Sequence, residues 1–329
     1  MLVLRAAVRV QRANMKIPWF TIVLLLLVMN TSSGAQSSAG ISSAQVAPTL
    51  YHFSSLDART VVPFELHQDL IFFQVQIAGS SDPLWFTLDT GAGSSYLDSG
   101  VAKRLGLHTS GSGKVQGAGA GEVPVNFVES VTFELPGLTS SGHRVNTTDL
   151  SALQGRHLDG FLGYDFISRY VITLDYAAGQ MTISEPATFS YSGSGESFPI
   201  KFRGPWPYIE ATVAVLGVKP ETSEFFVDSG SSDAVDDPAI LKTTGPVRKV
   251  QTGVGLGQPG EGVIGRTLYL QLGSYRLDAP TDACCSSVPD HERMIGTEVL
   301  RRFTVILDYA HSRLILEPNT HFKETFPDA

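Results

Sequence analysis

An acidic residue followed by a hydroxyl residue and a glycine occurs in two related contexts. Leu84-Trp85-Phe86-Thr87-Leu88 runs into Asp89-Thr90-Gly91-Ala92, and Ser223-Glu224-Phe225-Phe226-Val227 runs into Asp228-Ser229-Gly230-Ser231. Both times an apolar strand pattern ends at a turn that begins with a carboxylate. Two carboxylates within hydrogen-bond reach cannot both ionise easily, so they share one proton over a wide pH range. One then acts as a base and its neighbour as an acid. Such a pair can deprotonate a water for attack on an amide carbon while supporting the carbonyl oxygen, with no metal and no covalent intermediate. Asp89 and Asp228 are therefore the candidate catalytic residues. The Thr90 and Ser229 hydroxyls can hydrogen-bond backbone in the opposite loop and stiffen the pair, and Gly91 and Gly230 let the chain turn without a Cβ.

The tripeptide alone is a weak signal. Asp98-Ser99-Gly100 also matches, but it precedes a helical stretch, so Asp98 reads as a helix cap. What separates Asp89 and Asp228 from it is an internal repeat. Phe161-Leu162-Gly163 precedes a short helical pattern and the strand Val171 to Tyr176, while Met294-Ile295-Gly296 precedes another and the strand Thr304 to Tyr309; both strands end in Leu-Asp-Tyr. From the aspartate to this glycine is 74 residues in the first copy and 68 in the second, and from the glycine to the Leu-Asp-Tyr aspartate it is 12 in both. A two-fold relation between duplicated halves would bring equivalent loops face to face.

The elements that must position these loops read as strands. With 329 residues, 32 Gly and 18 Pro, 43% apolar and 17% charged residues, the chain is long enough for two lobes and rich in turns. Short apolar stretches from Val61 onward, some alternating as in Phe73-Gln74-Val75-Gln76-Ile77, predict an all-β fold of two related, barrel-like lobes. The best helical patterns are Asp98 to Leu107, Tyr164 to Tyr170 and Thr297 to Phe303. Residues 61–188 form the expected N-terminal lobe, 189–199 a Ser/Gly-rich linker and 200–320 the C-terminal lobe. Residues 36–60 are expected to be a flexible segment. Basic residues ahead of the apolar run Ile17 to Met29, followed by Ser33-Gly34-Ala35, predict an export signal over 1–35, hence a periplasmic or secreted protein; a retained membrane anchor is the alternative.

The net charge is −8, and without residues 1–35, which hold four basic and no acidic residues, it is −12, so nucleic acid is not expected as a partner. Cys284 and Cys285 are adjacent and cannot staple distant parts of a fold; they read as two small side chains side by side. The eight histidines show no ligand spacing, and no metal or other cofactor is expected. Gly255-Leu256-Gly257-Gln258-Pro259-Gly260 matches a dinucleotide fingerprint but has Pro where a helix should start. Asn146-Thr147-Thr148 fits a glycosylation acceptor, a motif that often matches by chance.

From about residue 61 to 317, both halves resemble lobes of the pepsin and retropepsin superfamily of aspartic peptidases. The first loop is similar to those of retroviral and bacterial members, and the fused lobes are similar to pepsin. The resemblance implies that Asp89 and Asp228 are catalytic, that Leu162-Gly163 and Ile295-Gly296 thread behind them, and that the substrate is an extended polypeptide held between the lobes. A monomer is expected. No counterpart of pepsin's flap tyrosine is found. Instead Gly117, Gly119 and Gly121 begin 28 residues after Asp89, and Gly253, Gly255 and Gly257 begin 25 after Asp228, so each lobe is expected to offer a hairpin over the cleft; an ordinary surface hairpin is the alternative. No obvious basic prosegment precedes Val61. Two other functions stay open: a peptide-binding protein that retains the fold without cutting, and a paired-carboxylate hydrolase acting on sugars, which would need its carboxyls about 5–9 Å apart.

Overall fold

The computed structural model describes residues 51–117, 121–151, 153, 158–252, 255–258, 260–284 and 293–327. The fold is all-β, with three short α-helices among the described residues: α1 Ser99–Arg104, α2 Tyr164–Ile167 and α3 Thr297–Leu300. Each falls inside a predicted helical pattern but ends early. Asp98 is indeed the α1 cap, its Oδ1 accepting from Gly100 N at 2.9 Å and Val101 N at 3.1 Å. No described helix is long and apolar enough to cross a membrane. The proposed export signal lies outside the described residues.

Three sheets carry the fold. A nine-stranded sheet is drawn from the first half and a ten-stranded sheet from the second. Their central pairings repeat. Gly160–Leu162 runs parallel to Leu84–Leu88 and antiparallel to Tyr96–Asp98; Met294–Ile295 runs parallel to Glu221–Val227 and antiparallel to Val235–Asp236. A parallel strand inserted beside the strand that carries each aspartate is what the Phe-Leu-Gly and Met-Ile-Gly landmarks encode.

The third sheet, of six strands, joins the halves. The two strands ending in Leu-Asp-Tyr lie antiparallel at its centre, with Val171 opposite Asp308 and Asp175 opposite Thr304. Leu174 and Leu307 are buried there, at 0% and 1% exposure, so the sheet is anchored on both sides of the repeat. Glu196–Pro199, within the segment expected as a linker, is its edge strand on Arg313–Pro318.

Two sequence readings are corrected. Structure begins earlier than expected: Tyr51–Phe53 pairs with Leu138–Ser140, and the Tyr51 and Phe53 rings pack on Tyr170 with centroids 5.1 and 6.0 Å away. A three-residue strand is too short to show a period, which hid it. Cys284 is fully buried and disulfide-bonded, not merely a small side chain; Cys285 lies outside the described residues. Asn146, of the glycosylation motif, is buried in the strand Leu138–Thr148.

Candidate active site

The strand Leu84–Leu88 has Leu84, Phe86, Thr87 and Leu88 buried and delivers Asp89 at its end; Glu221–Val227 delivers Asp228 in the same way. The inserted strands hold both positions by one backbone bond each, Asp89 N to Leu162 O at 3.0 Å and Asp228 N to Ile295 O at 2.9 Å. In each turn the aspartate then accepts from the following glycine, Gly91 N to Asp89 Oδ1 and Gly230 N to Asp228 Oδ1, both 2.8 Å. The carboxyl orientations are thereby fixed by backbone.

The two turns face one another and are crossed by four bonds. Thr90 Oγ1 donates to Val227 O at 2.7 Å and accepts from Ser229 N at 2.9 Å. Ser229 Oγ donates to Leu88 O at 2.8 Å and accepts from Thr90 N at 3.1 Å. Both hydroxyl residues are buried, at 1% and 2% exposure. The pattern is reciprocal, each hydroxyl serving backbone that leads into the opposite aspartate. The approach is so close that a Cβ on Gly91 would stand 2.7 Å from Asp228 Oδ1, and one on Gly230 would stand 2.5 Å from Asp89 Oδ1. Glycine is therefore required at both positions. Gly163 and Gly296 press equally close behind the loops, where a Cβ would lie 2.4 Å from Ser94 O and 2.2 Å from Asp233 O.

The aspartates face each other closely enough for each to perturb the other's titration. Each keeps some accessible surface, yet protein surrounds both. Burial, and next the charge of Asp228, pushes the Asp89 carboxyl up to about 8; burial also raises Asp228, against backbone N–H bonds and the Asp89 hydrogen bond that lower it. The pair therefore holds one proton over a broad range. Among the described residues no group of His, Cys, Asp and Glu could hold a metal ion.

Several neighbours were not legible in advance. Trp206 of the second half reaches across to donate its indole N–H to Gly91 O at 2.9 Å while remaining 42% exposed, and Pro205 lies against Gly93. Behind the first loop, Asp165 accepts from both Ser95 N and Ser95 Oγ, and Ser95 Oγ accepts from Gly163 N at 3.1 Å. Asp165 also meets His143 Nδ1 at 3.0 Å, and His143 Nε2 meets Ser140 Oγ at 2.7 Å. This spacing imitates a nucleophilic triad, but Ser140 and His143 are fully buried, so it supports the loop and offers nothing to solvent. Arg169 donates to Nε2, which leaves the Nδ1 proton for Asp165.

Of the six hairpin glycines, Gly119 and Gly253 lie outside the described residues. Gly117 and Gly121 flank the turn between Thr109–Gln116 and Glu122–Leu135, while Gly255 and Gly257 lie between Arg248–Thr252 and Gly260–Arg266. The two hairpins touch, Gly117 against Leu256.

Against this geometry, residues 73–166, which contain Asp89, its turn and the threading Leu162-Gly163, match the family model described as aspartyl protease. That segment is similar to aspartyl proteases of the pepsin and retropepsin type. The match ends before the second half, whose part in the site rests on the repeated geometry alone. No curated protein matches the chain.

The protein buries several further carboxyls. Asp282 is fully buried, and burial raises its carboxyl well above the usual carboxylate range. A carboxyl with a raised value in the folded state contributes most below its unfolded value, near 3.9, and that contribution is lost as pH rises through the folded value. For Asp89 the window runs from about 4 to about 8. The protein is therefore expected to melt several degrees higher at pH 5 than at pH 8.5 in scanning calorimetry. A melting temperature that rises over that interval would contradict these assignments.

Proposed function

We propose that the protein is an aspartic endopeptidase in which Asp89 and Asp228 activate one water against a peptide bond of an extended polypeptide lying between the halves. The reciprocal grip of Thr90 and Ser229, which puts two carboxyls face to face with one proton between them, carries this reading. Ionised Asp228 takes a proton from the water, whose oxygen bonds to the carbonyl carbon, while Asp89 gives its proton to the carbonyl oxygen. A tetrahedral diol results. Its collapse breaks the C–N bond, with a proton passing to the amine nitrogen and one hydroxyl proton returning to the pair, so that atoms and charge balance. The contacting hairpins around Gly117 and Leu256 would cover the bound chain and exclude water. Export through residues 1–35 belongs to the same reading.

The test is hydrolysis of an unfolded polypeptide in water enriched in heavy oxygen. One labelled oxygen is expected in each new C-terminal carboxylate, and no acyl-enzyme should be trapped by added nucleophiles. Tight peptide binding without any cleavage from pH 3 to 8 would instead assign a peptide-capturing role.

A further inference from the structure

Four buried apolar residues, Tyr96, Val125, Leu150 and Phe161, form a small core of their own in the first half. Tyr96 stacks on Phe161 with centroids 4.5 Å apart. This core borders the aspartates: Ala92, two residues from Thr90 in the same turn, packs on it, and the charge of Asp89 contributes to raising the Tyr96 phenol. Val115, Phe127, Leu153 and Leu158 complete its half-buried rim. All of these lie between residues 92 and 161.

One further side chain packs on this core, and it comes from the other half. Leu256 stands in the second hairpin, between Arg248–Thr252 and Gly260–Arg266, and lies half-buried against the first half's apolar surface. Its path there crosses Gly117 so closely that a Cβ on that glycine would stand 2.2 Å from Leu256 O and 2.5 Å from Leu256 Cβ. The absence of a side chain at 117 is what lets the second hairpin reach across. Leu256 thus covers, from the far side of the site, an apolar surface that belongs to the residues around Asp89. A half-buried leucine on an apolar surface is held by area, without direction, so another apolar group of similar size can replace it.

We propose that Leu256 is a built-in occupant of the apolar recess beside Asp89, and that a polypeptide is bound when a large apolar side chain of its own displaces Leu256. Selectivity for an apolar residue at that point of the substrate, and the exclusion of chains lacking one, both follow. A chain with only small polar residues there gains no surface and leaves the hairpin closed. This rests on the assignment of polypeptide substrates to the site, but it concerns binding and can be read without turnover.

The test uses the full chain carrying Asp228→Asn, so that peptides stay intact, and two fluorescent decapeptides that differ only in a central Phe or Ser. Leu256→Ala is expected to tighten the Phe peptide about tenfold, as for releasing one half-buried leucine, and to leave the Ser peptide unchanged. Leu256→Met, which refills the recess, should return the Phe peptide to the Asp228→Asn value. Gly117→Ala, which pushes against the Leu256 carbonyl, should act in the same direction as Leu256→Ala. Unchanged or weaker binding of the Phe peptide by Leu256→Ala overturns the proposal, as does equal tightening of both peptides, or binding of neither by any variant. If the expected pattern appears while the chain with intact Asp228 cleaves nothing, the recess stands and the peptidase assignment fails. If that chain cleaves and the pattern is missing, the reverse holds.

Discussion

Asp89→Asn and Asp228→Asn should each lower kcat/KM on an unfolded polypeptide by about 10⁴-fold, the upper end of what one proton-transfer group supplies. The double substitution should cost little more, because the carboxyls act as a unit. An amide neither takes the water's proton nor gives one to the carbonyl oxygen, so either loss stops the same step. With the native pair the rate should follow a bell in pH. Its alkaline limb falls near pH 8, where Asp89 loses the shared proton, and its acid limb falls where Asp228 gains one, above the usual aspartate range. Stability separates chemistry from misfolding. Two buried acids that resist joint ionisation weaken the fold at high pH, so each Asn variant should melt at or above the wild-type temperature at pH 8 while being inactive. Initial rates from pH 3 to 9, with calorimetry on the same samples, decide it. Equal cleavage by wild type and both variants would remove the aspartates from the mechanism.

Asp89 and Asp228 could be found because duplication repeats context: the same strand, turn, inserted strand and Leu-Asp-Tyr strand surround both, and Asp98, which lacks them, is a helix cap in the structure. The landmarks that proved informative are local runs whose hydrogen-bonding needs are satisfied in the same way twice. What escaped detection depends on contacts between the halves. Trp206 stands just past the turn of a hairpin, opposite Arg203, where the first-half counterpart places Leu70 opposite His67, so the repeat gave no aromatic to compare. Leu256 looked like one residue of a glycine-rich hairpin, and only its packing on Tyr96 and Phe161 gives it a role. Asp165 and Ser95 are 70 residues apart, and His143 joins them from the strand Leu138–Thr148, a separation over which periodicity carries no information. The hydroxyls of Thr90 and Ser229 lie between these cases: residue type suggested a backbone partner, and the structure names which carbonyl each one takes.

Those two hydroxyls carry the second large effect. Thr90→Ala removes one oxygen but strands two buried groups, Val227 O and Ser229 N; Ser229→Ala strands Leu88 O and Thr90 N. Each orphaned group costs about 1–3 kcal/mol, so either variant should lose several kcal/mol in urea unfolding. The double variant should lose less than the sum, because each hydroxyl bonds the residue that carries the other. Thr90→Ser and Ser229→Thr keep the oxygen and should stay near wild type. The kinetic consequence differs from that of the aspartate variants. With the carboxyls present but their loops no longer clamped, kcat should fall by about 10²-fold, as for a reacting group displaced by about 1 Å, with KM little changed. The alkaline limb should move down, since carboxyls that drift apart repel less and Asp89 releases its proton more readily. A purely structural role for the hydroxyls would lower stability and leave that limb in place, so the pH profile of Thr90→Ala distinguishes a clamp on the proton-sharing pair from a bond that merely ties the halves together.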